Sequence, residues 1–507
     1  MNTKMITETL QTPVTGSYDV IVVGGGPAGC CAAIAAARNG AQTLIVERVG
    51  YLGGMLTGGM VGSSGIYTVS PTSLAYYASV REQLRTDPDR VQLIKGIPRE
   101  IMRRLISSGG GLGYFGEVPA YVCVHVPSLM KLLLDMMEEA GVAVLFYAQG
   151  VQPIMDNDVV RGVIIQGKGG REALEAKVVV DATGDGDVAA AAGAEFEFGR
   201  PQDNEAINMT LMFTMGNIDM ERYFEAEVTG QTTWPPVSRE EHFADMRAGH
   251  SYWFGTSSGL SERPEVPEHI RAELDNFTWS TNHSRGHIFA CNSPIPDELY
   301  INVTEVFKKS GTSSWEISEA ITIAYKEIEL LAEMYKAAVP GFENAYIRQI
   351  APLMGIRETR RITGDYIVTG DDVKQYRKFE DAIAGSGHPI DTSEDNKGRF
   401  DKLDPGAWFE VPYRSLLVKG REGILTAGRC ISCDHEALGS IRPTATCMAL
   451  GEAAGTAAAM AVSQQLTPRQ LDGRQVAEKS GWDTSELTEA MIGQAEDDDS
   501  VMLQRES

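Results

Sequence analysis

The sequence predicts an α/β chain in which a central parallel sheet is interrupted by an inserted α+β domain. Three observations lead there. Val20-Ile21-Val22-Val23 runs directly into Gly24-Gly25-Gly26-Pro27-Ala28-Gly29, an apolar strand feeding a glycine turn. Two further apolar segments, Val178 to Val180 and Leu425 to Ala427, also run into small and glycine residues. Between them, from about 205 to 410, the pattern changes to mixed segments with many aromatics, among them Trp234, Tyr252, Trp253, Phe254, Phe277 and Trp279.

The small-residue helix Cys30 to Arg38 follows the first turn, Gly40 ends it, and Thr43 to Val46 is the next strand, closed by Glu47. This is one βαβ unit. Gly24 permits the tight turn, Gly26 lets backbone N–H groups approach a pyrophosphate at the helix N-terminus, and Gly29 lets helix and strand pack closely. Glu47 is placed to accept hydrogen bonds from a ribose diol, and an acid there disfavours a 2′-phosphate and hence NADP. A glycine turn used for packing alone would not require strand, helix, second strand and terminal acid in register.

Further along, Leu52 to Gly59 and Gly62 to Gly65 are glycine-rich, as suits backbone lying against a bound ring system or a flexible loop. Helices are expected over Pro71 to Arg85 and Pro98 to Ser107. Pro127 starts an amphipathic helix that Gly141 stops, and Val142 to Tyr147 reads as a buried strand. Val159 to Gln166 and Ala173 to Val180 form a hairpin around Gly167 to Gly170, which opens no helix and so is no second dinucleotide cradle. Ser314 to Ala338 is a long helix whose stripe of Ile317, Ile321, Ala324, Ile328, Leu331 and Tyr335 reads as core. A strand from Gly423 to Ala427, a loop to about Pro443 and the small-residue helix Thr444 to Met460 return the chain to the sheet.

A chain of 507 residues can bury a substantial core. Its formal net charge of −24 disfavours nucleic acid and anionic membrane surfaces as partners. An anionic ligand would therefore depend on local arginines. No stretch offers about 18 consecutive apolar residues, and Met1 to Ser17 lacks a signal-peptide core, so no membrane insertion and a cytoplasmic location are expected. Seven cysteines without regular spacing fit a reducing compartment.

Three segments carry a resemblance: the first cradle, Val178-Val179-Val180-Asp181-Ala182-Thr183-Gly184-Asp185-Gly186-Asp187, and Leu425-Thr426-Ala427-Gly428-Arg429-Cys430. Together they resemble the FAD-binding segments of the glutathione-reductase-type flavoproteins, on the fumarate reductase and thiazole synthase side. Leu52 to Gly59, Pro340 to Tyr346 with Gly355 to Ile362, and His435 to Arg442 narrow this to the mostly bacterial FAD-dependent oxidoreductases, over roughly residues 18 to 465. The resemblance implies FAD as cofactor and a Rossmann-like FAD-binding domain with a central parallel sheet, plus an inserted α+β substrate or cap domain.

By the same resemblance, Gly24, Gly26 and Gly29, with Pro27 and Ala28 between them, hold the pyrophosphate and Glu47 the adenosine ribose. Arg48, Gly53, Gly54 and Met55 follow the cofactor, and Val151 presents its backbone to adenine. Ala182, Thr183 and Gly184 line the nucleotide side, and Gly428 and Arg429 approach the ribityl chain. Many relatives place an aspartate after this glycine, so Arg429 is a departure. The helix beginning at Thr444 and Thr446 points its N-terminus at the flavin edge, where its dipole favours the anion formed when FAD accepts hydride. The expected division is a tail over 1–17, a discontinuous FAD-binding domain from 18–70, 120–204 and 415–465, a substrate or cap domain from 71–119 and 205–414, and an acidic tail over 466–507.

For chemistry, His435 suits proton transfer and Arg442 suits a carboxylate clamp, both in the loop before the flavin-facing helix. The bland alternatives are a loop-bound histidine and an arginine tying the loop to the other domain. Arg357, Arg360 and Arg361 stand at helical i, i+3, i+4 spacing, with Glu358 an available partner, and Arg357 is the third catalytic candidate. His283, Arg285 and His287 alternate as on one strand face, more simply a surface strand. Cys430 and Cys433 form a CxxC, but they follow a strand rather than open a helix, which disfavours a redox disulfide; no zinc pattern accompanies them.

The reading is an FAD-dependent oxidoreductase, a dehydrogenase or oxidase moving hydride between a small organic substrate and flavin N5. Oxygen, a quinone or a carrier protein would serve as electron acceptor. The alternatives are a redox-neutral flavoenzyme and a flavin-bound electron-transfer or interaction subunit. Oligomeric state is left open.

Overall fold

The computed structural model describes residues 5–70, 82–113, 118–226, 231–234, 253–256, 260–277, 287–394, 397–485 and 487. Its main sheet has seven strands. In spatial order they are Ala143–Phe146, Thr43–Glu47, Val14–Val23, Gly170–Asp181, Val159–Gly167 and Gln149–Asp156, with Ile424–Thr426 also pairing on Gly170–Asp181. The pairs around Val14–Val23 are parallel, as are the two outer pairs Thr43–Glu47 with Ala143–Phe146 and Ile424–Thr426 with Gly170–Asp181. Val20 to Val23 are buried on both faces, as a continuous apolar run in a parallel sheet requires.

One face of the sheet is covered by two small-residue helices, Pro27–Arg38 and Thr444–Gln464. A Cβ on Gly451 would stand 2.0 Å from the Ala28 carbonyl oxygen, and one on Gly455 2.0 Å from that of Ala32. Glycines one turn apart thus bring two backbones into contact, which explains the small-residue composition of both helices. Thr444–Gln464 is long and apolar enough to cross a membrane, but 83% of its most apolar window is buried inside the protein.

The second layer is a six-stranded antiparallel sheet ordered Gln231–Trp234, Trp253–Thr256, Phe289–Asn292, Leu299–Ile301, Phe213–Gly216 and Tyr346–Ile350. Helix Ser314–Ala338 packs beside it; Ala324, Ile328, Leu331 and Tyr335 are buried in a core separate from that of the main sheet.

Several expected boundaries move. Residues 84–118, placed with the cap, contribute Leu84, Ile94, Ile97, Ile101 and Leu105 to the main core, because helix Gly96–Ser107 packs on both small-residue helices. Val368, Ile383, Ile390, Phe409 and Val411 join the same core, so the cap's own core runs from Met209 to Met354 with Met60, Cys123 and Val126. The tail over 1–17 is strand from Val14, and Ala173 N donates to Pro13 O at 2.8 Å. The tail over 466–507 is packed at its start, where helix Gly473–Ser480 buries Val476 and Ala477. Val142 to Tyr147 is an edge strand, Ala143–Phe146, with Ala143 exposed, since it pairs on one side only. The strand Gln149–Asp156 was not expected. Of the helix expected over Pro71 to Arg85, only residues 82–86 are described and helical; His283, Arg285 and the acidic run Glu496 to Asp499 lie outside the described residues.

Candidate active site

The glycines of the first turn do different jobs. Gly24 has φ +100, and a Cβ there would stand 2.5 Å from Ala182 O; one on Gly29 would stand 1.8 Å from Gly24 O. Both are forced by backbone contact. A Cβ on Gly26 would meet nothing within 4 Å, so the backbone at the start of helix Pro27–Arg38 faces open space. Around that space stand the Gly53-Gly54 turn, where a Cβ on Gly54 would lie 2.9 Å from Gly26 Cα, and Gly428, where one would lie 2.9 Å from Ala28 Cβ. Met55 follows in the short helix Gly54–Leu56. An open cradle rimmed by close-packed backbone fits a dinucleotide pyrophosphate.

Glu47, 8% exposed, accepts from Gly25 N at 2.6 Å and Val49 N at 2.9 Å, which fixes its carboxylate at the strand end. Arg48 beside it is exposed. Val151 falls at a bulge and stands opposite no residue of the neighbouring strand. Ala182 N donates to Val23 O at 2.9 Å, Thr183 Oγ1 donates to Asp181 Oδ1 at 2.7 Å, and Gly184 has φ +76. Arg429 donates to Asp185 Oδ1 at 2.6 Å and Thr359 Oγ1 at 2.8 Å. The departure from aspartate at this position is thereby absorbed by an acid of the preceding segment.

Helix Thr444–Gln464 starts after Pro443 with no side chain capping its first-turn amides. Thr444 Oγ1 lies 3.1 Å from Ser64 Oγ and accepts from Gly65 N at 3.3 Å, and Thr446 Oγ1 donates to Gly385 O at 3.4 Å. The Thr444 contacts tie the helix start to the glycine-rich segment after the cradle, and the Thr446 contact ties it to the strand Ala382–Ser386.

The arginine face expected from helical spacing does not form. Arg360–Ile362 is a strand, which puts Arg360 and Arg361 on opposite sides. Arg360 pairs with Asp187 at 2.9 Å, whereas Arg361 is buried against Glu358, Cys433 O and Gly199 O. Arg357 lies in the preceding loop, donating to Asn208 O at 2.8 Å and Thr210 Oγ1 at 3.1 Å. Burial first, and then the charge of Arg442, push its pKa down to about 10.

The expected loop before Pro443 contains a helix, His435–Ile441, capped by Asp434 through Ala437 N at 2.7 Å. His435 opens it; its Nδ1 sits 2.9 Å from Oε2 of the fully buried Glu358, and its Nε2 is enclosed without a hydrogen-bond partner. The structure thus gives it a network role its sequence position did not reveal. Arg442 ends this helix and pairs with Asp391.

Asp391 and His388 were not singled out from sequence. His388 Nδ1 lies 2.7 Å from Pro389 O, and burial pushes its pKa down to about 4. The signal was slight: His388 stands in a short polar interruption before the strand Ile390–Glu394, and Asp391 is its second residue. Cys430 and Cys433 are free thiols whose pKa values burial drives up, so nothing activates them.

A family profile described as FAD dependent oxidoreductase matches residues 19–479. Digeranylgeranylglycerophospholipid reductase 1 of Methanopyrus kandleri is 32% identical over 169 residues, 33% of this chain and 40% of that protein. Dihydrolipoyl dehydrogenase of Trypanosoma brucei brucei is 57% identical over 42 residues, 8% of this chain and 9% of that protein. The chain spans less than half the length of these curated relatives. A solved geranylgeranyl bacteriochlorophyll reductase-like protein from Thermoplasma acidophilum superposes with TM-score 0.42 at 14% identity, covering 92% of this chain and 82% of that one. The family match runs through the cradle, the antiparallel layer and the Thr444 helix alike: the chain belongs to the FAD dependent oxidoreductases, and FAD is its cofactor.

Proposed function

We propose that this enzyme moves hydride between a small organic substrate and FAD, with the substrate held where its two cores meet. The observation that carries the reading is the open cradle at Gly26, rimmed by the Gly53-Gly54 turn and Gly428, in a chain of the FAD dependent oxidoreductases. Arg357 follows Met354 of the cap core and donates to Asn208 O and Thr210 Oγ1, while Arg442 follows Ile441 of the main core and pairs with Asp391. Two cations from separate cores beside a cofactor domain make a place to orient a substrate.

In this reading Gly24, Gly26 and Gly29 take the pyrophosphate, Glu47 the adenosine ribose, and the bulged backbone at Val151 the adenine. Gly53, Gly54, Gly428 and Arg429 border the rest of the cofactor. Bound FAD supplies a two-electron hydride acceptor or donor at N5. The uncapped first turn at Thr444 offers N–H dipoles that favour negative charge. His388, kept uncharged at neutral pH because burial lowers its pKa to about 4, is a group on the arginine side that can accept a proton.

Oxygen, a quinone or a carrier protein would complete the cycle. The test is the absorption spectrum of the FAD-loaded protein under anaerobic addition of hydroxy acids, amines, sugars and enoates. The reading expects one class to bleach the flavin directly, without a partner protein. Bleaching by none of them, in the oxidised protein or in reoxidation of the reduced one, would refute it.

A further inference from the structure

The two small-residue helices run in parallel, since Gly451 meets Ala28 and Gly455 meets Ala32. Gly451 is the eighth residue of its helix and Ala28 the second of the other, so Thr444–Gln464 starts six residues, about 9 Å, beyond the start of Pro27–Arg38 on the same side. A dinucleotide held by its pyrophosphate at Gly26 can reach Thr444 with its other half. Gly428 lies between the two helix starts: a Cβ on it would stand 2.9 Å from Ala28 Cβ and 4.0 Å from Cys447 Cβ.

At Thr444 three hydroxyls form a chain. Tyr67 OH lies 2.7 Å from Ser64 Oγ, which lies 3.1 Å from Thr444 Oγ1. Tyr67 and Ser64 are fully buried, whereas Thr444 is partly accessible. Chemistry sets the direction of the chain. Burial pushes the Tyr67 phenol far above its ordinary value, so it keeps its proton. A hydroxyl oxygen at 2.7 Å is a better acceptor than Met448 Sδ at 3.7 Å, so Tyr67 donates to Ser64. Ser64 in turn donates to Thr444, its alternative being Met448 Sδ at 4.0 Å. Thr444 Oγ1 also accepts from Gly65 N at 3.3 Å, which leaves its own hydrogen without an acceptor among the described residues. Thr446, by contrast, spends its hydrogen on Gly385 O at 3.4 Å.

We propose that Thr444 donates this hydrogen bond to the ring of bound FAD, at the edge that gains negative charge on reduction, and that Ser64 and Tyr67 are positioning residues that fix the donor. This rests on the reading of the site given above and names the residues that tune its cofactor. A hydrogen bond to an atom that gains charge strengthens as the charge develops, so the chain favours reduced over oxidised FAD. Each hydroxyl polarises the next. The Thr444 proton stays on its oxygen throughout, and no bond is broken.

The test needs no substrate. The two-electron midpoint potential of bound FAD is measured anaerobically against a reference dye, together with the Kd of oxidised FAD. Thr444→Val should weaken the preference for reduced FAD about tenfold, lowering the potential by about 30 mV, while Thr444→Ser, which keeps the hydroxyl, should stay near wild type. Ser64→Ala and Tyr67→Phe should each weaken the preference severalfold, and neither should add to Thr444→Val, because both act through that hydroxyl. A merely structural role would change stability or FAD affinity without moving the potential. If Thr444→Val fails to hold FAD, Ser64→Ala and Tyr67→Phe still decide. The proposal is overturned by an unchanged potential in Thr444→Val, by an unchanged potential in both Ser64→Ala and Tyr67→Phe, by Thr444→Ser behaving as Thr444→Val, or by Ser64→Ala keeping its full effect in the Thr444→Val background. The expected pattern in a protein whose flavin no small molecule reduces would count against hydride transfer and leave the hydroxyl chain standing.

Discussion

Gly29 lies so close to Gly24 that a Cβ built on it would stand 1.8 Å from the Gly24 carbonyl oxygen, whereas Gly26, three residues earlier, faces open space. The two glycines therefore separate folding from cofactor binding. Gly29→Ala should unfold or severely destabilise the protein. Gly26→Ala, at φ −70, should leave the stability of FAD-free protein within about 1 kcal/mol of wild type and still weaken FAD about tenfold or more. Thermal unfolding and quenching of FAD fluorescence measure the two effects; equal FAD affinity in G26A would show that the cradle holds something else.

Glu358, fully buried, accepts from Ile207 N at 2.9 Å and pairs with both Arg361 and His435. Removing one partner of a buried pair leaves the other's charge uncompensated. Glu358→Gln should cost about 3–5 kcal/mol of stability, read from urea unfolding midpoints. A loss below about 1 kcal/mol would mean that Glu197, at 3.3 Å, with Cys433 O and Gly199 O satisfies Arg361 without Glu358.

Burial raises the Glu452 carboxyl to about 8 from its ordinary value of 4.5, against the hydrogen bond from Ile97 N that favours its charged form. The folded protein thus holds a proton that the unfolded chain has lost. Its contribution is present in full below pH 4.5 and is lost as pH rises through about 8. Glu452→Gln removes this dependence, so at alkaline pH the variant should exceed wild type by up to roughly 5 kcal/mol, with little difference in acid. Parallel stability curves for the two proteins would contradict the assignment.

Gly451 meets the backbone of Ala28 with no room for a Cβ. Gly451→Val should force the two small-residue helices apart, costing several kcal/mol and releasing FAD, because Ala28 belongs to the cradle. Retention of FAD with normal stability would show that the helices yield without disturbing the first turn.

Much of this was legible in the sequence where local chemistry decides the outcome. The strand Val20 to Val23, its glycine turn and the acid at Glu47 are set by contacts within one βαβ unit. Helix Ser314–Ala338 was readable from its apolar stripe for the same reason. What spacing could not show is which partner a residue finds across the chain. Arg357, Arg360 and Arg361 have helical spacing but feed a strand, because Glu197 and Phe198 pair with Arg361 and Arg360 in a two-stranded sheet. His435 is engaged by Glu358, 77 positions away, and Asp391 by Arg442, 51 positions away. Helix Gly96–Ser107 is likewise amphipathic in either setting, and only its packing on the two small-residue helices assigns its face.

The most direct test of the central claim is the rate of anaerobic flavin reduction by the compound that bleaches it, compared with the same compound deuterated at the carbon that loses hydrogen. Hydride transfer predicts that deuterium slows bleaching severalfold in a single exponential phase. Bleaching at the same rate for both isotopic forms, or a flavin that no small molecule reduces and whose reduced form none reoxidises, would contradict it.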